Sequence, residues 1–478
     1  MVALAEILPE AAASELEVTG ICDDSRVVRP GDVFVAVAGS HSDGHAFAAA
    51  AAAAGAVAVV AEHALSGLPA DLPVFVVSNL AQRRGELAAR LYGHPSERLY
   101  CIGVTGTNGK TSIASFIADM ATRLGTATGY LGTIGWGDLD NLAPSELTTA
   151  SAITIQQRLA ELVELGKQWV VLEASSHALE QERTAAVAFD VAVFSNLSRD
   201  HLDYHADFAS YGAAKAKLFA YSTLKAAVIN VDDAFGQSLV ASLAPGVAAC
   251  TYGASGDVRW QDLEFHATGV KGRWLTPWGD SEFELPLYGE FSVANMSAAL
   301  AVLCQAGHAL EAVVAAAAQV RAVPGRVEFY RGEPSVVVDF AHTPDALEKV
   351  LSALAPHVEG RLICVVGCGG DRDPGKRPLM AQAAQRYADE LWLTSDNPRS
   401  EDPAAIIEQM RVGLDEFAGV HECEDRRCAI EAAISNARPA DLVVVAGKGH
   451  EAYQEINGRK IPFSDREVVR AAMEHRRG

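Results

Sequence analysis

Short apolar runs recur along the chain and are separated by segments with helical periodicity. They lie at residues 33–37, 56–60, 100–105, 169–173 and 189–194, and in the C-terminal third at 336–338, 362–366, 391–393 and 442–445. Runs that are apolar at nearly every position are typical of parallel strands whose sheet is covered by helices on both faces. The pattern therefore predicts an α/β protein built on parallel sheets.

Residues 250–285 break this pattern. They are rich in Trp, Gly and Thr and alternate in polarity, which indicates short antiparallel strands, and an alanine-rich helix follows. A chain of 478 residues exceeds what one hydrophobic core usually serves. With turn-forming segments near residues 91–98 and 324–326, we predict three domains: 1–97, 98–325 and 326–478, the last with a Rossmann-like parallel sheet.

Composition narrows the class of protein. The chain is 49% hydrophobic and 21% charged, as globular proteins are, and it has no apolar run long enough to span a membrane. A formal net charge of −22 argues against nucleic acid or an anionic membrane as the main partner. The N-terminus lacks a signal-peptide pattern, and the eight scattered cysteines suit reduced thiols. We expect a cytoplasmic monomer.

One glycine-bearing loop carries a chemical signal of its own. It follows the run at 100–105 and reads Gly106-Thr107-Asn108-Gly109-Lys110-Thr111-Ser112. Such a loop between a strand and a helix suits a nucleotide phosphate site, in which Lys110 would meet the β- and γ-phosphates and Thr111 would face Mg²⁺. The strict Walker pattern expects glycine where Val104 stands, so the match is partial, and an ordinary glycine-rich turn is the alternative.

Polar clusters follow several of the other apolar runs. Glu173 closes the run at 169–173, and His201 lies in the polar segment after the run at 189–194, so both are candidate metal ligands. The alternative for each is an ordinary polar residue at a strand end. Four further clusters, at residues 339–342, 367–372, 394–399 and 446–451, would share one edge of a C-terminal parallel sheet. Periodicity alone places Lys215 in solvent.

In their order along the chain, nine strings resemble the Mur ligases, ATP-dependent amide-forming enzymes of peptidoglycan synthesis. The strings are Asp-Ser-Arg at 24–26, Thr-Gly-Thr-Asn-Gly-Lys-Thr at 105–111, Glu-Ala-Ser-Ser-His at 173–177, Asn-Leu-Ser-Arg-Asp-His-Leu-Asp-Tyr-His at 196–205, Ala-Ala-Lys at 213–215, Asp-Phe-Ala-His-Thr-Pro-Asp at 339–345, Gly-Asp-Arg-Asp at 370–373, Asp-Asn-Pro-Arg at 396–399 and Gly-Lys-Gly-His-Glu at 447–451. The family's own phosphate loop has the form seen here, so Val104 is no departure from it.

The resemblance implies a UDP-sugar-binding first domain, a central P-loop-type ATPase domain and a C-terminal amino-acid-binding domain. It implies UDP-N-acetylmuramoyl-L-alanyl-D-glutamate as acceptor, held by Ser25, Ser40, His41, Ser42, Thr148, Thr149, Ser175, Gln181 and Arg183. It implies ATP held by residues 106–112 with Asn295, Arg326, Asp339 and His342. It implies Mg²⁺ at Thr111, Glu173, His201 and a carbamylated Lys215, with Lys110, Glu173, His201 and Lys215 as the catalytic group. Asn295 could equally cap a helix.

The resemblance also assigns the choice of amino acid to the C-terminal domain. The implied substrate is meso-diaminopimelate, held by Arg372, Asp396, Asn397, Pro398, Arg399, Gly447 and Glu451. This amino acid has a second carboxylate that lysine lacks, and a guanidinium such as that of Arg399 can grip it with two hydrogen bonds. The alternatives are a lysine-adding relative, folylpolyglutamate synthase, and a nucleotide-binding switch without ligase activity.

Overall fold

The computed structural model describes residues 1–39, 43–201, 204–266, 268–415 and 419–477. The chain divides into two compact units, one comprising residues 1–257 and 298–308 and the other residues 258–297 and 309–478. Each unit is α/β with parallel sheets, which confirms the predicted fold class. The division into three domains, with boundaries at 97/98 and 325/326, stays a prediction.

The first unit begins with a small parallel sheet. A short antiparallel pair, β1 (Val2–Ala3) and β2 (Glu17–Val18), precedes the strands β3 (Gly20–Cys22), β4 (Asp32–Ala36), β5 (Ala58–Ala61) and β6 (Val74–Val76), which pair in that order. Its helices are α1 (Leu4–Ile7), α2 (Ala48–Ala53) and α3 (Leu80–Leu91). Strands β4 and β5 are buried at every position, as their apolar sequences predict.

An eight-stranded sheet makes up the rest of the first unit. Its strands are β7 (Tyr100–Thr105), β8 (Thr128–Gly132), β9 (Gly135–Asp138), β10 (Asn141–Ala143), β11 (Trp169–Glu173), β12 (Val191–Phe194), β13 (Ala226–Asn230) and β14 (Ala248–Tyr252). Their spatial order is β10-β9-β8-β11-β7-β12-β13-β14, and every pairing is parallel except those of β9. The helices are α4 (Lys110–Arg123), α5 (Ala152–Glu164), α6 (Ser176–Glu180), α7 (Phe208–Ala216) and α8 (Ala234–Ser242). The order places β7 between β11 and β12, so the polar segments after these three strands share one edge.

The second unit contains the predicted antiparallel strands and a second parallel sheet. The antiparallel strands are β15 (Arg259–His266), β16 (Gly269–Thr276) and β17 (Gly279–Leu285). Helix α9 (Glu290–Gln305) follows, with its residues 298–305 assigned to the first unit, and α10 (Leu310–Ala317) belongs to the second. The other sheet contains β18 (Glu328–Tyr330), β19 (Ser335–Asp339), β20 (Leu362–Cys368), β21 (Glu390–Ser395), β22 (Val420–Glu422) and β23 (Leu442–Ala446) in the order β18-β19-β23-β20-β21-β22. Every pairing in it is parallel except that of β18 with β19. Its helices are α11 (Pro344–Leu354), α12 (Lys376–Gln385), α13 (Pro403–Arg411), α14 (Arg426–Asn436) and α15 (Asp465–Arg477), and a hairpin of β24 (Tyr453–Ile456) and β25 (Arg459–Pro462) precedes α15.

Burial on both faces explains the continuous apolar strands of this second sheet. In β19, Val337 packs into one core cluster, whereas Val336 and Val338 pack into another on the opposite face. Val444 and its neighbours in β23 divide in the same way. Because successive side chains of a strand point to opposite faces, a strand covered on both sides is apolar at every position.

Capping side chains set where several helices begin. Ser151 accepts a hydrogen bond from Thr154 N at the start of α5, and Thr343 accepts one from Ala346 N at the start of α11, where Pro344 takes the first helical position. These side chains satisfy backbone N–H groups that have no partner inside the helix. Among the residues that the structure describes, no helix is long and apolar enough to cross a membrane. The eight cysteines are thiols, and six are buried.

Candidate active site

The predicted phosphate loop lies between β7 and α4. Gly106 (φ +142°) and Gly109 (φ +85°) adopt backbone conformations that side chains disfavour. At Gly106 there is also no room, because a Cβ would lie 1.9 Å from Ser195 Oγ. The Lys110 ammonium donates to the carbonyls of Gly106 and Thr107, both at 2.9 Å, so it lies over the loop. Thr111 and Ser112 form the first turn of α4, at its positive end.

The segment after β12 forms one side of this loop. Thr107 N donates to the Asn196 carbonyl at 2.7 Å. Asn108 N donates to Asn196 Oδ1, and Asn196 Nδ2 donates back to the Asn108 carbonyl, both at 3.1 Å. This reciprocal pair ties the loop to the segment that follows β12. Asn196 was not predicted as a site residue, although it begins one of the strings quoted above.

Glu173 ends β11 and is fully buried. Its carboxylate accepts hydrogen bonds from Thr111 Oγ1 at 3.0 Å, from Thr133 N at 2.9 Å, from Thr133 Oγ1 at 3.0 Å and from the Tyr130 hydroxyl. A buried carboxylate needs such partners to offset its lost hydration. No sequence signal pointed to Tyr130 in β8 or to Thr133 in the turn after it.

Lys215 is buried, contrary to the prediction from helical periodicity. Only 1% of it is exposed, its Nζ donates to the Gly106 carbonyl at 2.8 Å, and Nζ lies 4.4 Å from the centre of the Tyr211 ring. Burial, and then the positive charge of Lys110, hold the pKa of Lys215 well below its ordinary value, although Asp200 opposes the shift. The neutral amine is therefore far more populated than in an exposed lysine.

His201 lies in a cluster of aromatic rings. Its backbone is left-handed (φ +53°), its Nε2 is 3.5 Å from Asp200 Oδ2, and its ring centre is 4.8 Å from that of His177. Of the four predicted metal residues, Thr111 and Glu173 are in contact, whereas Lys215 contacts the phosphate loop. Among described residues, no group of three or more His, Cys, Asp or Glu is arranged to hold a metal ion.

Most residues predicted for the muramoyl dipeptide come together beside Glu173. Thr149 Oγ1 donates to the Glu173 carbonyl at 2.7 Å and accepts from Ser175 N at 3.0 Å. Arg183 donates to the Thr149 carbonyl and to Gln181 Oε1, both at 2.9 Å. Burial, and then the nearby charge of Arg84, lower the pKa of Arg183.

Thr148, Ser25 and residues 40–42 complete the predicted substrate residues of the first unit. Thr148 Oγ1 lies 3.0 Å from Thr133 Oγ1, within hydrogen-bond distance, so it belongs to the same network. Ser25 lies in the turn after β3 and is half-buried. Ser40, His41 and Ser42 lie outside the described residues.

The remaining predicted nucleotide residues belong to the second unit. Asp339 ends β19, is buried, and accepts from Val327 N and Ala341 N at 2.8 and 2.7 Å. Burial raises its pKa, and the charge of Arg326 opposes that shift. The Arg326 guanidinium lies 4.5 Å from the centre of the Phe340 ring, and His342 Nδ1 is 3.0 Å from the Phe340 carbonyl. Asn295 is half-buried within α9.

Three predicted clusters meet at one edge of the second sheet, after β20, β21 and β23. Lys448, which is fully buried, donates to Asn397 Oδ1 at 2.9 Å and to Glu451 Oε2 at 2.8 Å, and Asn397 Nδ2 donates to the same carboxylate oxygen at 3.0 Å. Lys448 was not predicted as a site residue. At Gly447, whose φ is +120°, a Cβ would lie 2.7 Å from Asp396 Oδ2. The triangle of Lys448, Asn397 and Glu451 thus fixes two predicted substrate contacts.

Arg399 lies beside this triangle with a left-handed backbone (φ +52°). Its Nη1 donates to the Gly370 carbonyl at 2.7 Å, and its Nε donates to Glu455 Oε2 at 3.1 Å. Pro398 is buried, whereas Arg372, on the loop after β20, is exposed. No sequence signal pointed to Glu455, which lies in β24.

Comparison with known proteins identifies the family. Residues 17–92 match the model described as Mur ligase family, catalytic domain; residues 104–303 match the Mur ligase middle domain; and residues 325–449 match the Mur ligase, glutamate ligase domain. Two relatives are named UDP-N-acetylmuramoyl-L-alanyl-D-glutamate–2,6-diaminopimelate ligase. That of Ectopseudomonas mendocina is 46% identical over 97% of this chain and 96% of its own length, and that of Pseudomonas aeruginosa is 44% identical over 98% of each.

A solved structure of a ligase with the same name is 40% identical, superposes with a TM-score of 0.71, and covers 100% of this chain and 99% of its own. These matches span nearly all of each chain. The resemblance predicted from the sequence is confirmed, and the chain belongs to the Mur ligase family.

Proposed function

We propose that this chain is an ATP-dependent ligase that joins meso-2,6-diaminopimelate to the D-glutamyl γ-carboxylate of UDP-N-acetylmuramoyl-L-alanyl-D-glutamate. The observation that carries the choice of amino acid is Arg399. Its guanidinium is held by Glu455 and by the Gly370 carbonyl, and it follows the same strand as Asn397, in a chain 46% identical to a ligase named for diaminopimelate. An arginine there supplies two parallel donors for a carboxylate that lysine does not have.

The reaction would pass through an acyl phosphate. The D-glutamyl γ-carboxylate attacks the γ-phosphorus of ATP, the bond to the bridging oxygen breaks, and ADP leaves. The neutral amine of diaminopimelate then attacks the acyl carbon, phosphate departs with the bonding electrons, and the amine loses a proton. Lys110 would stabilise charge on the transferring phosphoryl group, because its ammonium already lies over the loop.

The contact between Thr111 and Glu173 suits Mg²⁺, which prefers oxygen ligands and is often bound by one or two protein groups together with substrate phosphates. When bound, the ion would neutralise phosphate charge. The same pair would orient the start of α4 toward the nucleotide. His201 and Lys215 are the further ligands that we propose on the family resemblance.

Carbamylation of Lys215 is consistent with its surroundings. Only a neutral amine adds to carbon dioxide, and burial beside Lys110 favours the neutral form. The product replaces a buried neutral amine by an anionic oxygen donor. Lys215→Ala should abolish turnover, and wild-type protein equilibrated with ¹³C-bicarbonate should show a carbamate carbon signal that the variant lacks. Full activity of the variant would remove this role.

One specificity assay tests the proposed function. ATP-dependent product should form with diaminopimelate far faster than with lysine at equal concentrations. A preference for lysine would make the chain a lysine-adding ligase and reject the role of Arg399. Phosphate release with a folate substrate would favour folylpolyglutamate synthase, and absence of phosphate release with every substrate present would favour a nucleotide switch.

A further inference from the structure

The Arg399 guanidinium has an internal carboxylate partner that the family resemblance does not assign. Glu455 Oε2 accepts from Arg399 Nε at 3.1 Å, and both side chains are partly exposed, 23% for Arg399 and 30% for Glu455. Glu455 belongs to the hairpin of β24 and β25. By the function proposed above, the same guanidinium binds a substrate carboxylate, so Glu455 places a second carboxylate beside it.

Backbone hydrogen bonds hold the two charged residues next to each other. Arg399 N donates to the Glu455 carbonyl at 2.9 Å, and Asn457 N donates to the Arg399 carbonyl at 2.7 Å, which forms a parallel bridge between Arg399 and Ile456. Glu455 N donates to Asn397 Oδ1 at 3.0 Å. These bonds fix the Cα positions of both charged residues, so the carboxylate and the guanidinium meet because the main chain brings them together.

The pairing leaves one end of the guanidinium available. Arginine has five N–H donors. Among the described residues, Glu455 accepts from Nε and Gly370 accepts from Nη1, and neither Nη2 hydrogen has an acceptor. Gly369 keeps this arrangement possible, since a Cβ there would lie 3.0 Å from Nη1. The side chain is thus held at two points while its terminal edge stays open.

We propose that Glu455 is a positioning residue that orients the Arg399 guanidinium and thereby sets the preference for an amino acid with a second carboxylate. A long arginine side chain loses rotamer freedom when it grips a ligand, and prior fixation by Glu455 removes much of that cost. The negative charge of Glu455 opposes the substrate carboxylate only weakly, because charges at a partly exposed site are screened by water. The benefit of orienting the Arg399 guanidinium therefore outweighs the repulsion between Glu455 and the substrate carboxylate. This inference rests on the proposed function.

The experiment compares Glu455→Ala and Glu455→Gln with a matched surface control, Glu348→Ala. Glu348 pairs with the exposed Arg386 at 3.2 Å in the same unit, and neither residue is among the predicted substrate residues. Glu455→Ala should raise KM for diaminopimelate about tenfold and leave KM for ATP and kcat within about twofold. Glu455→Gln should recover most of the loss, since its amide oxygen can still accept from Nε. The control should behave like wild type.

Three results would overturn the inference. The first is a KM for diaminopimelate in Glu455→Ala equal to that of the Glu348→Ala control. The second is a KM below that of wild type, which would mean that Glu455 competes with the substrate carboxylate for Arg399. Equal losses for diaminopimelate and ATP would indicate general damage to the fold. Failure of the proposed function looks different, because the wild-type protein itself would then not ligate diaminopimelate.

Discussion

Removing the carboxylate of Asp465 should destabilise the edge of the second sheet that carries the predicted amino-acid residues. Asp465 begins α15 and forms two hydrogen bonds of 2.7 Å with Arg426, and both side chains are 0% exposed. The Arg426 guanidinium also donates to the carbonyls of Ser395 at 3.3 Å and Ala446 at 2.9 Å. Those carbonyls end β21 and β23, directly before the strings Asp-Asn-Pro-Arg at 396–399 and Gly-Lys-Gly-His-Glu at 447–451.

The size of the effect follows from burial. Asp465→Ala leaves a guanidinium in the core without a counter-charge, which costs about 3–5 kcal/mol. An exposed pair such as Arg386 with Glu348 is worth about 0–1 kcal/mol. Replacing both buried partners, as in Arg426→Met with Asp465→Leu, removes the uncompensated charge and should cost less than Asp465→Ala alone.

Amide hydrogen exchange measures the loss of stability caused by Asp465→Ala at individual strands. A loss of about 3–5 kcal/mol accelerates exchange through the open state by roughly two to three and a half powers of ten, since 1.4 kcal/mol is about tenfold. The acceleration should appear in β21 and β23 and leave β7 and β11 of the first unit unchanged. An effect no larger than that of Glu348→Ala, or a double variant less stable than Asp465→Ala, would refute the reasoning.

Three further predictions concern the phosphate loop, acid stability and the amino-acid pocket. Gly106→Ala should weaken ATP binding roughly ten- to hundredfold in a titration, because the new Cβ would lie 1.9 Å from Ser195 Oγ. In addition, a residue other than glycine in this backbone conformation costs about 1–3 kcal/mol. Unchanged affinity for ATP would contradict the prediction. Burial lowers the pKa of His450 from 6.5 to about 4. As the pH falls, the unfolded chain therefore binds a proton at His450 before the folded chain does. The free energy of unfolding should drop by up to about 3 kcal/mol between pH 6.5 and pH 4. His450→Asn should flatten that part of a Tm-against-pH profile, and an equally steep profile would exclude His450 as its source. Lys448→Met should raise KM for diaminopimelate more than KM for ATP, because Glu451 Oε2 loses a donor at 2.8 Å; equal changes would indicate a purely structural role.

The sequence determined the order and kind of elements over most of the chain. Apolar runs located β11 at Trp169–Glu173 with its bounds unchanged, and the turn from β7 into α4 was readable from glycines and the following helical pattern. The nine strings were enough to identify the family. These features depend on local periodicity and on residue types at fixed spacing, which a sequence displays directly.

Tertiary structure decided which side chains meet. Glu173 receives donors from Tyr130 and Thr133 because β8 pairs with β11, a neighbour that chain order does not predict. Lys215 is buried because its helix packs over the phosphate loop, which helical periodicity cannot show. The contact of Glu455 with Arg399 depends on a hairpin that bonds to a distant loop. Periodicity fixes the face on which a residue lies, whereas strand order and loop conformation fix its partners, and those partners set charge, pKa and specificity.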